Sequence, residues 1–259
     1  MRFTVCIKQV PDVAAPTRLE NGHIVQDSDR MVLNAYDASA LEECLVLREA
    51  HGGEVDVVLI GPERASETIR KALAMGADEA THIVTDASAH LDSRAIATLL
   101  AAYLAAREFD IVACGKQSQD TDAGLTGSML ATMLSLPFTT NAVAMHVEAG
   151  KLVVTRQADT GRELIALPSP CLVTCSNDMN SPRIPSLKGI MASKRKTIER
   201  IDPTSLGVDD KLSHAASLAA TVVGEESPPG RPGAKIFSGE PAEMVANLIG
   251  ALESEARVI

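Results

Sequence analysis

The sequence predicts an α/β protein: a mostly parallel β-sheet with antiparallel strands at one edge and an extended C-terminal arm. Three observations lead to this prediction. Short apolar segments alternate with amphipathic helical segments up to residue 136, which is the pattern of right-handed βαβ units. From residue 137 the pattern changes to strand segments joined by short turns. The stretch 224–234 is rich in Pro and Gly, which is typical of an extended arm.

The chain up to residue 136 supplies alternating strands and helices. The strands are apolar runs with β-branched residues, and they are predicted at 2–8, 54–60, 80–84 and 109–114. The helices are predicted at 36–50, 63–76, 92–108 and 124–136. The first helix has an apolar stripe that consists of Ala40, Leu41, Cys44, Leu45 and Leu47. Asn34 is a plausible cap for this helix, and Gly76 is a stop signal for the second.

The segment 142–175 predicts several strands in antiparallel hairpins. AGK and DTG occur within it at the places where hairpin turns are expected. After residue 176 the segment that contains Pro182 and Pro185 has little periodicity, so we expect irregular structure there. A final amphipathic helix is expected at 240–256. Its apolar face packs either on another chain or back on its own domain, and the sequence does not decide between the two.

Charge and hydropathy argue against two classes of partner. A formal net charge of −10 argues against nucleic acid as the main partner. No apolar run approaches the roughly 20 residues that a membrane span needs, so we expect no membrane span. The N-terminal MRFTVCIKQVPD predicts a strand rather than a signal peptide, because no small-residue cleavage site follows its short apolar run. One short basic cluster is expected to be a solvated face; it consists of Lys188, Lys194, Arg195, Lys196 and Arg200.

The Cys residues indicate a reducing compartment. They are odd in number and irregularly placed, at positions 6, 44, 114, 171 and 175, which is not a disulfide framework. Cys171 and Cys175 would face the same side of a strand. Because no His or further Cys stands at ligand spacing, we expect buried, small apolar side chains rather than a metal site.

The sequence shows no catalytic signature. It has no GxSxG, HExxH or GxxxxGK[ST] motif, and no GxGxxG follows the first strand. The six His are scattered, and none stands beside a Cys or Ser in a triad-like setting. We therefore predict no catalytic side chain and no metal ligand in this chain.

The best candidate for a binding site is the edge of the sheet where the parallel strands end. Ligands of open parallel sheets bind outside these carboxyl ends, where the strand order reverses. The segments expected to meet there are 6–8, 34–37, 60–62 and 114–116. The last leads into GKQSQDTDAGLTGSM (115–129), whose helix start offers N–H donors to a phosphate. The alternative is an ordinary βα turn, because a single Gly-rich turn is a weak motif.

Five blocks of the sequence, in the same order, resemble motifs of the electron transfer flavoprotein β subunit family. GKQSQDTDAGLTG resembles the pattern GKQ-x2-D-x-D-x3-TG, and FTVCIKQVPD resembles the first strand. ASETIRKALAMGADEA and NSPRIPSLKGIMASKRKTIE resemble the family's ETIRxALAMGAD and N-x-PRYxxLxxIMxAxKKxIE segments. VTRQADTGRELIALPSPCLVT (154–174) resembles the signature region, with Thr160 where Gly or Asp is usual. The resemblance covers about residues 1–208.

The resemblance implies a Rossmann-like fold of the adenine nucleotide α-hydrolase-like type and a heterodimer with an α subunit. Such heterodimers pass electrons from flavin-dependent dehydrogenases to an acceptor, through FAD held mainly by the α subunit. The β subunit holds AMP in non-bifurcating members and a second FAD, in the same pocket, in electron-bifurcating members. We expect AMP here because Thr126–Gly127 resembles the AMP-binding members, although KQVPD also occurs in bifurcating ones.

The resemblance also implies site residues. The nucleotide site corresponds to Cys6, Asn34, Ala35, Tyr36, Asp37, Ile60, Gly115, Gln117, Asp120, Thr121, Asp122, Ala123, Gly124, Leu125 and Thr126. The docking loop for flavin-dependent dehydrogenases corresponds to 182–191, with Leu187 as its anchor and Arg183 and Pro185 beside it. Burial of an exposed Leu on such a loop by a partner contributes about 1.5–3 kcal/mol to the free energy of binding. The alternative is that Leu187 lies in the core of its own chain. Gln157 stands where many members have Glu, whose carboxylate can pair with an Arg of the α subunit and bias the position of the flavin domain. Gln157 has no charge, which argues against this kind of control here.

We expect three regions along the chain. They are a nucleotide-binding α/β domain (1–180), a partner-docking segment (181–200) and a C-terminal arm with a helix that packs on the α subunit (201–259). The expected location is the cytoplasm, with the mitochondrial matrix as the alternative. A function of another class stays open, namely a stand-alone nucleotide-binding hydrolase or sensor.

Overall fold

The computed structural model describes most of the chain in two compact units. It covers residues 1–15, 18–20, 23–25, 30–86, 91–208, 220, 222–226, 229–230 and 233–259. The units are Met1–Gly224 and Glu225–Ile259. Parts of the predicted C-terminal arm, at 209–219, 221, 227–228 and 231–232, lie outside the described residues. The predicted boundaries at 180 and 200 stay predictions.

The first unit is built on a nine-stranded sheet with the order β11-β10-β9-β12-β8-β1-β6-β7-β13. Two small two-stranded sheets, β2 with β5 and β3 with β4, accompany it. The strands are β1 (Arg2–Ile7), β2 (Gln9–Pro11), β3 (Arg18–Glu20), β4 (His23–Val25), β5 (Met31–Leu33), β6 (Glu54–Gly61), β7 (Glu79–Val84), β8 (Ile111–Gly115), β9 (Phe138–Glu148), β10 (Lys151–Ala158), β11 (Gly161–Leu167), β12 (Cys171–Cys175) and β13 (Glu199–Ile201).

The described helices alternate with the strands over the first half of the chain, as predicted. They are α1 (Ala35–His51), α2 (Ser66–Met75), α3 (Ser93–Ala105), α4 (Thr126–Met133), α5 (Leu187–Ser193) and α6 (Pro241–Ala251). Short 3₁₀ turns precede α2 at 63–65 and follow β13 at 203–206, and a π-helical turn at 252–256 extends α6. Among the described residues, none of the helices combines the length and hydropathy that a membrane crossing requires.

The strand order reverses beside β1, and this reversal positions the site. Parallel neighbours flank β1, with β6 on one side and β8 on the other. The chain runs from β1 outward through β6 to β7, and then returns to the opposite side of β1 at β8. Such a reversal leaves a crevice between the carboxyl ends of the two strands. The crevice here is therefore bounded by the residues that follow Ile7 and Gly115.

Helices cover both faces of the parallel part of the sheet. On one face the predicted stripe of α1 is buried at no more than 4% exposure, together with α2. On the other face α3 and α4 pack through Leu100, Leu104 and Leu130 onto Cys6 and Cys114. The core is aliphatic because the chain has no Trp and a 2% aromatic share. All of the cysteines are buried and free.

The predicted antiparallel extension is confirmed on one edge of the sheet. β9, β10 and β11 form two hairpins, whose turns include Ala149 and Gly150 at φ +49° and +76°. β9 begins at Phe138, before the predicted start at 142, because it pairs with Leu172 of β12. β12 itself lies between β9 and β8 and is parallel to both. The fold is therefore a mostly parallel α/β sheet with antiparallel edge strands.

Helix α5 was not expected, because the segment after 176 lacks periodicity. Ser186 caps it by accepting a hydrogen bond from the Gly189 amide at 3.1 Å. Gly189 fits against α2 so closely that a Cβ at this position would lie 2.4 Å from the Ala74 carbonyl oxygen. The helix is thus stabilised by tertiary contact, which a hydrophobic period does not reveal.

The second unit contains α6, within the helix predicted at 240–256. Pro241 stands at its first turn, where the missing N–H costs no hydrogen bond. Val245, Leu248 and Ile249 are 56%, 47% and 45% exposed. The helix is amphipathic as predicted, and these three apolar side chains are exposed.

Candidate functional site

Asp37 ties together the ends of the two central strands. It lies in the first turn of α1 and is 5% exposed. One carboxylate oxygen accepts a hydrogen bond from the backbone N–H of Lys8, and the other from that of Gly115, each at 2.8 Å. These N–H groups follow β1 and end β8, so a single carboxylate fixes the width of the crevice.

Burial raises the pKa of Asp37 to about 7. Hydrogen bonds from Gly115, Asn34 and Lys8 and the charge of Lys8 oppose this shift without cancelling it. The carboxyl group that joins the two strand ends is therefore protonated more readily than that of an ordinary Asp.

Asn34 joins α1 to the loop that follows β8. It stands at the N-cap position, as predicted, but its side chain does not cap its own helix. Its amide donates to the carbonyl oxygen of Gln117 at 3.0 Å, and its oxygen accepts from the N–H of Gln119 at 3.1 Å. In exchange, the Gln119 side chain accepts from the N–H of Ala35 at 3.1 Å. Gln119 therefore supplies an acceptor to the first N–H group of α1, a role that the sequence did not reveal.

The two aspartates of the loop are held by the protein itself. Lys8 binds Asp120 through both carboxylate oxygens at 2.9 and 2.8 Å. The Gln117 side chain donates to Asp122 at 2.8 Å, and Asp122 adopts a left-handed φ of +52°. Both carboxylates therefore stabilise the loop, which explains how a loop with acidic side chains can still offer backbone donors to an anion.

Close packing at two glycines shapes the base of the loop. A Cβ on Gly115 would lie 2.5 Å from both the Asp37 carboxylate and the Tyr36 Cβ atom. A Cβ on Gly127 would lie 2.5 Å from a Thr174 methyl group and 2.9 Å from the Cys114 sulfur. The absence of a side chain thus lets β8 approach α1, and lets α4 approach the sheet.

The start of α4 is the part of the crevice best suited to an anion. Leu125 stands at its N-cap position and provides no side-chain hydrogen bond to the first turn. The exposed stretch 120–125 leads into Thr126, which is half-buried. N–H groups at a helix start carry partial positive charge and bind phosphate or carboxylate groups. The first turn of α4 can therefore hold an anion with backbone donors alone.

The remaining predicted residues lie around this centre. Cys6 is paired in register with Cys114 beneath the crevice, and Ile60 packs against the same apolar cluster. Burial raises the pKa of both thiols further above its ordinary value, so they stay neutral. Two hydrogen bonds close the loop: the Ser118 N–H donates to the carbonyl oxygen of Ala123, and the Ser118 and Thr121 hydroxyl groups bond to each other. The structure thus brings the predicted nucleotide-site residues together on one edge of the sheet.

A second candidate surface lies on the predicted docking segment. Its apolar side chains are exposed: Ile184 is 91%, Leu187 75%, Met191 57% and Ile190 40% exposed. We call these four residues the apolar patch. Pro185 is half-buried among them, and Lys188, Lys194 and Arg195 are exposed nearby in sequence. Leu187 is therefore exposed and is not a core residue. The Arg183 side chain is directed toward α1, where it donates hydrogen bonds to Glu42.

A cleft of about 450 Å³ separates the loop after β8 from the docking segment. Ala35 and Gln119 line it on the crevice side, and Asn177 and Pro182 on the docking side. The two candidate surfaces are thus neighbours on the same unit.

Gln157 lies on the antiparallel edge of the sheet. Its amide nitrogen donates to the carbonyl oxygen of Ala158 at 3.0 Å, within its own hairpin. The neighbouring Arg156 pairs with Glu163 on β11 at 2.9 Å. Both side chains are therefore bonded locally among the edge strands, and Gln157 brings no charge to this surface.

The comparisons with known proteins agree with this architecture. The model of the electron transfer flavoprotein domain matches residues 22–206. Electron transfer flavoprotein subunit beta of Bacillus subtilis is 33% identical over the full length of both chains. The mitochondrial electron transfer flavoprotein subunit beta of Oryza sativa subsp. indica is 35% identical over the full length of both. Caffeyl-CoA reductase-Etf complex subunit CarD of Acetobacterium woodii is 34% identical over the same extent.

The residues matched by the family model include α1, β8 and the loop that follows it, which are the elements that form the crevice. The chain is therefore an α/β protein with an electron transfer flavoprotein domain. Full-length relatives of this identity narrow the class further. The chain belongs to the electron transfer flavoprotein β subunit family, which confirms the resemblance seen in the sequence.

Proposed function

We propose that this chain is the β subunit of a heterodimeric electron transfer flavoprotein, with AMP bound structurally in the crevice between β1 and β8. The heterodimer passes electrons from flavin-dependent dehydrogenases to an acceptor. The observation that carries this proposal is the crevice itself: Asp37 joins both strand ends, and Asn34 and Gln119 lock the loop over them. A site fixed in this way is suited to a resident ligand.

The residues present fit a nucleoside monophosphate. The start of α4, from Gly124 to Thr126, offers backbone donors for the phosphate. Ala35, Tyr36 and Gln117 would contact the nucleoside, and Asn34 and Asp37 would fix the backbone around it. Asp120 and Asp122 would hold the loop. Asp120 and Asp122 bring two negative charges to the loop, so a bare anion is a less suitable ligand than a nucleoside phosphate whose ribose can face them.

FAD, held mainly by the α subunit, supplies the redox chemistry when it is bound. This chain's own residues would position the nucleotide, exclude water from it and present the partner surfaces. A second FAD in place of AMP is the alternative ligand, because KQVPD (8–12) also occurs in electron-bifurcating members of the family. We propose the cytoplasm as the location, with the mitochondrial matrix as the alternative.

Two surfaces would bind proteins. The C-terminal region, 201–259, would pack on the α subunit through the apolar side chains of α6, which are exposed within their own unit. The apolar patch would dock flavin-dependent dehydrogenases, with Leu187 as the anchor. Basic residues beside the patch favour a partner pocket with an acidic rim.

Co-expression with an α-type partner tests the proposal. We expect a yellow heterodimer that a flavin-dependent dehydrogenase reduces, and little yellow protein when the chain is expressed alone. A colourless, monodisperse homodimer that hydrolyses ATP would overturn the proposal and support a stand-alone hydrolase or sensor.

A further inference from the structure

The docking segment is anchored to α1 at its N-terminal end. The Asn180 side chain donates to the carbonyl oxygen of Ser39 at 3.1 Å and to Glu43 at 3.0 Å. The backbone N–H of Arg183 donates to Glu42 at 2.9 Å. The chain is therefore held by side chains of α1 immediately before the apolar patch begins at Ile184.

The Arg183 guanidinium makes the strongest of these contacts. Its Nε and Nη2 atoms donate to Glu42 at 2.9 to 3.1 Å, and its Nη1 atom donates to Glu49 at 2.5 Å. The Glu42 side chain is 10% exposed, and that of Arg183 is 32% exposed. A two-pronged, charge-assisted pair with this burial holds its geometry better than an exposed ion pair. These two carboxylates also raise the pKa of Arg183 further above its ordinary value.

The C-terminal end of the segment is anchored to α2. Gly189 lies against the Ala74 carbonyl, as described above. Arg70 donates to the carbonyl oxygens of Ser193 and Lys196. Lys196 donates to the carbonyl oxygens of Ala77 and Asp78, at 2.6 and 3.0 Å, just beyond the end of α2. Both ends of the segment are therefore bonded to helices, while the apolar patch between them is exposed.

We propose that Arg183, together with Glu42 and Glu49, is a positioning residue for docking. The proposal rests on the docking role of the apolar patch. A segment that is already ordered loses less conformational entropy when its partner binds. Arg183 acts by holding the backbone that presents Leu187, and its guanidinium makes no contact with the partner, because its donors face Glu42 and Glu49.

The test uses the complete heterodimer and a flavin-dependent dehydrogenase chosen because it reduces the wild-type heterodimer. Arg183→Met keeps the length of the side chain and removes its hydrogen bonds. We expect it to raise the KM for the heterodimer roughly tenfold with kcat unchanged, and Arg183→Lys to restore part of the loss. Amide exchange at 184–192 should rise in Arg183→Met. Arg94→Met is the matched control, because Arg94 lies on α3 on the opposite face of the sheet, and neither quantity should change.

A double-mutant cycle with Leu187→Ala separates positioning from contact. Leu187→Ala alone should raise KM, and adding Arg183→Met should then change KM less than about twofold, because the anchor that Arg183 presents is gone. Should Arg183→Met prevent folding, Glu49→Gln replaces it in the cycle, with a smaller rise in KM expected.

Each remaining outcome decides one of the two proposals. If Leu187→Ala leaves KM unchanged, the docking role of the patch is wrong, and the positioning proposal falls with it. If Leu187→Ala raises KM while Arg183→Met leaves KM and amide exchange unchanged, only the positioning proposal is overturned. Fully additive effects of the two substitutions would mean that Arg183 contacts the partner directly, which also overturns it.

Discussion

At the scale of single residues, the crevice depends on groups that serve two structural elements at once. Asp37 accepts from N–H groups that follow β1 and end β8. Gly115 leaves room for that carboxylate. Asn34 occupies the cap position of α1 while bonding a distant loop. A substitution at any of these positions should therefore disturb two structural elements of the crevice at once, even where the side chain changes by only a few atoms.

Asp37→Asn should alter how stability depends on pH. Asn places an NH2 group where one of the two carboxyl oxygens accepts a backbone N–H, so at pH 5 we expect a loss of about 1–3 kcal/mol in the free energy of unfolding. Because burial raises the pKa of Asp37 to about 7, the folded wild type binds this proton more tightly than the unfolded chain does. The contribution of Asp37 to the free energy of unfolding therefore falls as pH rises from about 4 to 7. Asn does not titrate, so the variant loses no stability at this position over the same range.

The gap in unfolding free energy between the wild type and Asp37→Asn should accordingly narrow from pH 5 to pH 8. Thermal or urea unfolding at the two pH values measures it. A gap that widens with pH would show that the hydrogen bonds to the ionised carboxylate outweigh its burial.

Gly115→Ala should destabilise the first unit by roughly 1–3 kcal/mol, because the new methyl group overlaps Asp37 and Tyr36. Gly250→Ala is a matched control, since a Cβ at this position in α6 meets nothing within 4 Å. Urea unfolding of both variants checks the prediction. Equal stabilities for Gly115→Ala and wild type would contradict the close approach of β8 and α1.

At the scale of elements, the start of α1 and the loop after β8 stabilise each other. Asn34→Ala removes two hydrogen bonds to the loop. We expect faster amide exchange at Gln119 and weaker retention of the bound nucleotide, by roughly tenfold in dissociation constant. Thr132→Ala, which removes only a local bond to Ser128 within α4, should change neither. Unchanged exchange at Gln119 in Asn34→Ala would mean that the loop is held without α1.

Elements with a regular apolar pattern could be predicted from the sequence. The stripe of α1 from Ala40 to Leu47 is buried as predicted. The turn at Gly150 and the antiparallel edge strands also follow local rules. Helix α5 could not be predicted, because Gly189 lowers the helix propensity of the segment and its contact with the Ala74 carbonyl forms only in the folded chain.

The same distinction applies to the candidate site. The strand ends and the loop were predictable, because parallel strands end on one edge and Gly115 marks a turn. The bond from the N–H of Ala35 to the Gln119 side chain was not predicted, since it joins positions far apart in sequence. The pairing of Arg183 with Glu42 and Glu49 was missed for the same reason. Periodicity reports which face of an element is buried, and it does not report which polar groups meet.

At the scale of the whole molecule, one unit combines the crevice and the apolar patch, and a second unit has a helix with exposed apolar side chains. This division suits a subunit that binds a nucleotide, docks a dehydrogenase and packs on an α subunit. Full-length similarity to β subunits of electron transfer flavoproteins agrees with it.

The identity of the nucleotides in the purified heterodimer tests the central claim most directly. Denaturation of the co-expressed complex, followed by chromatography of the released ligands, measures it. We predict one FAD and one AMP per heterodimer in the wild type, with AMP reduced in Asn34→Ala. Two FAD per heterodimer would contradict AMP as the ligand of the crevice, and a heterodimer that retains FAD but no second nucleotide would contradict a nucleotide site between β1 and β8.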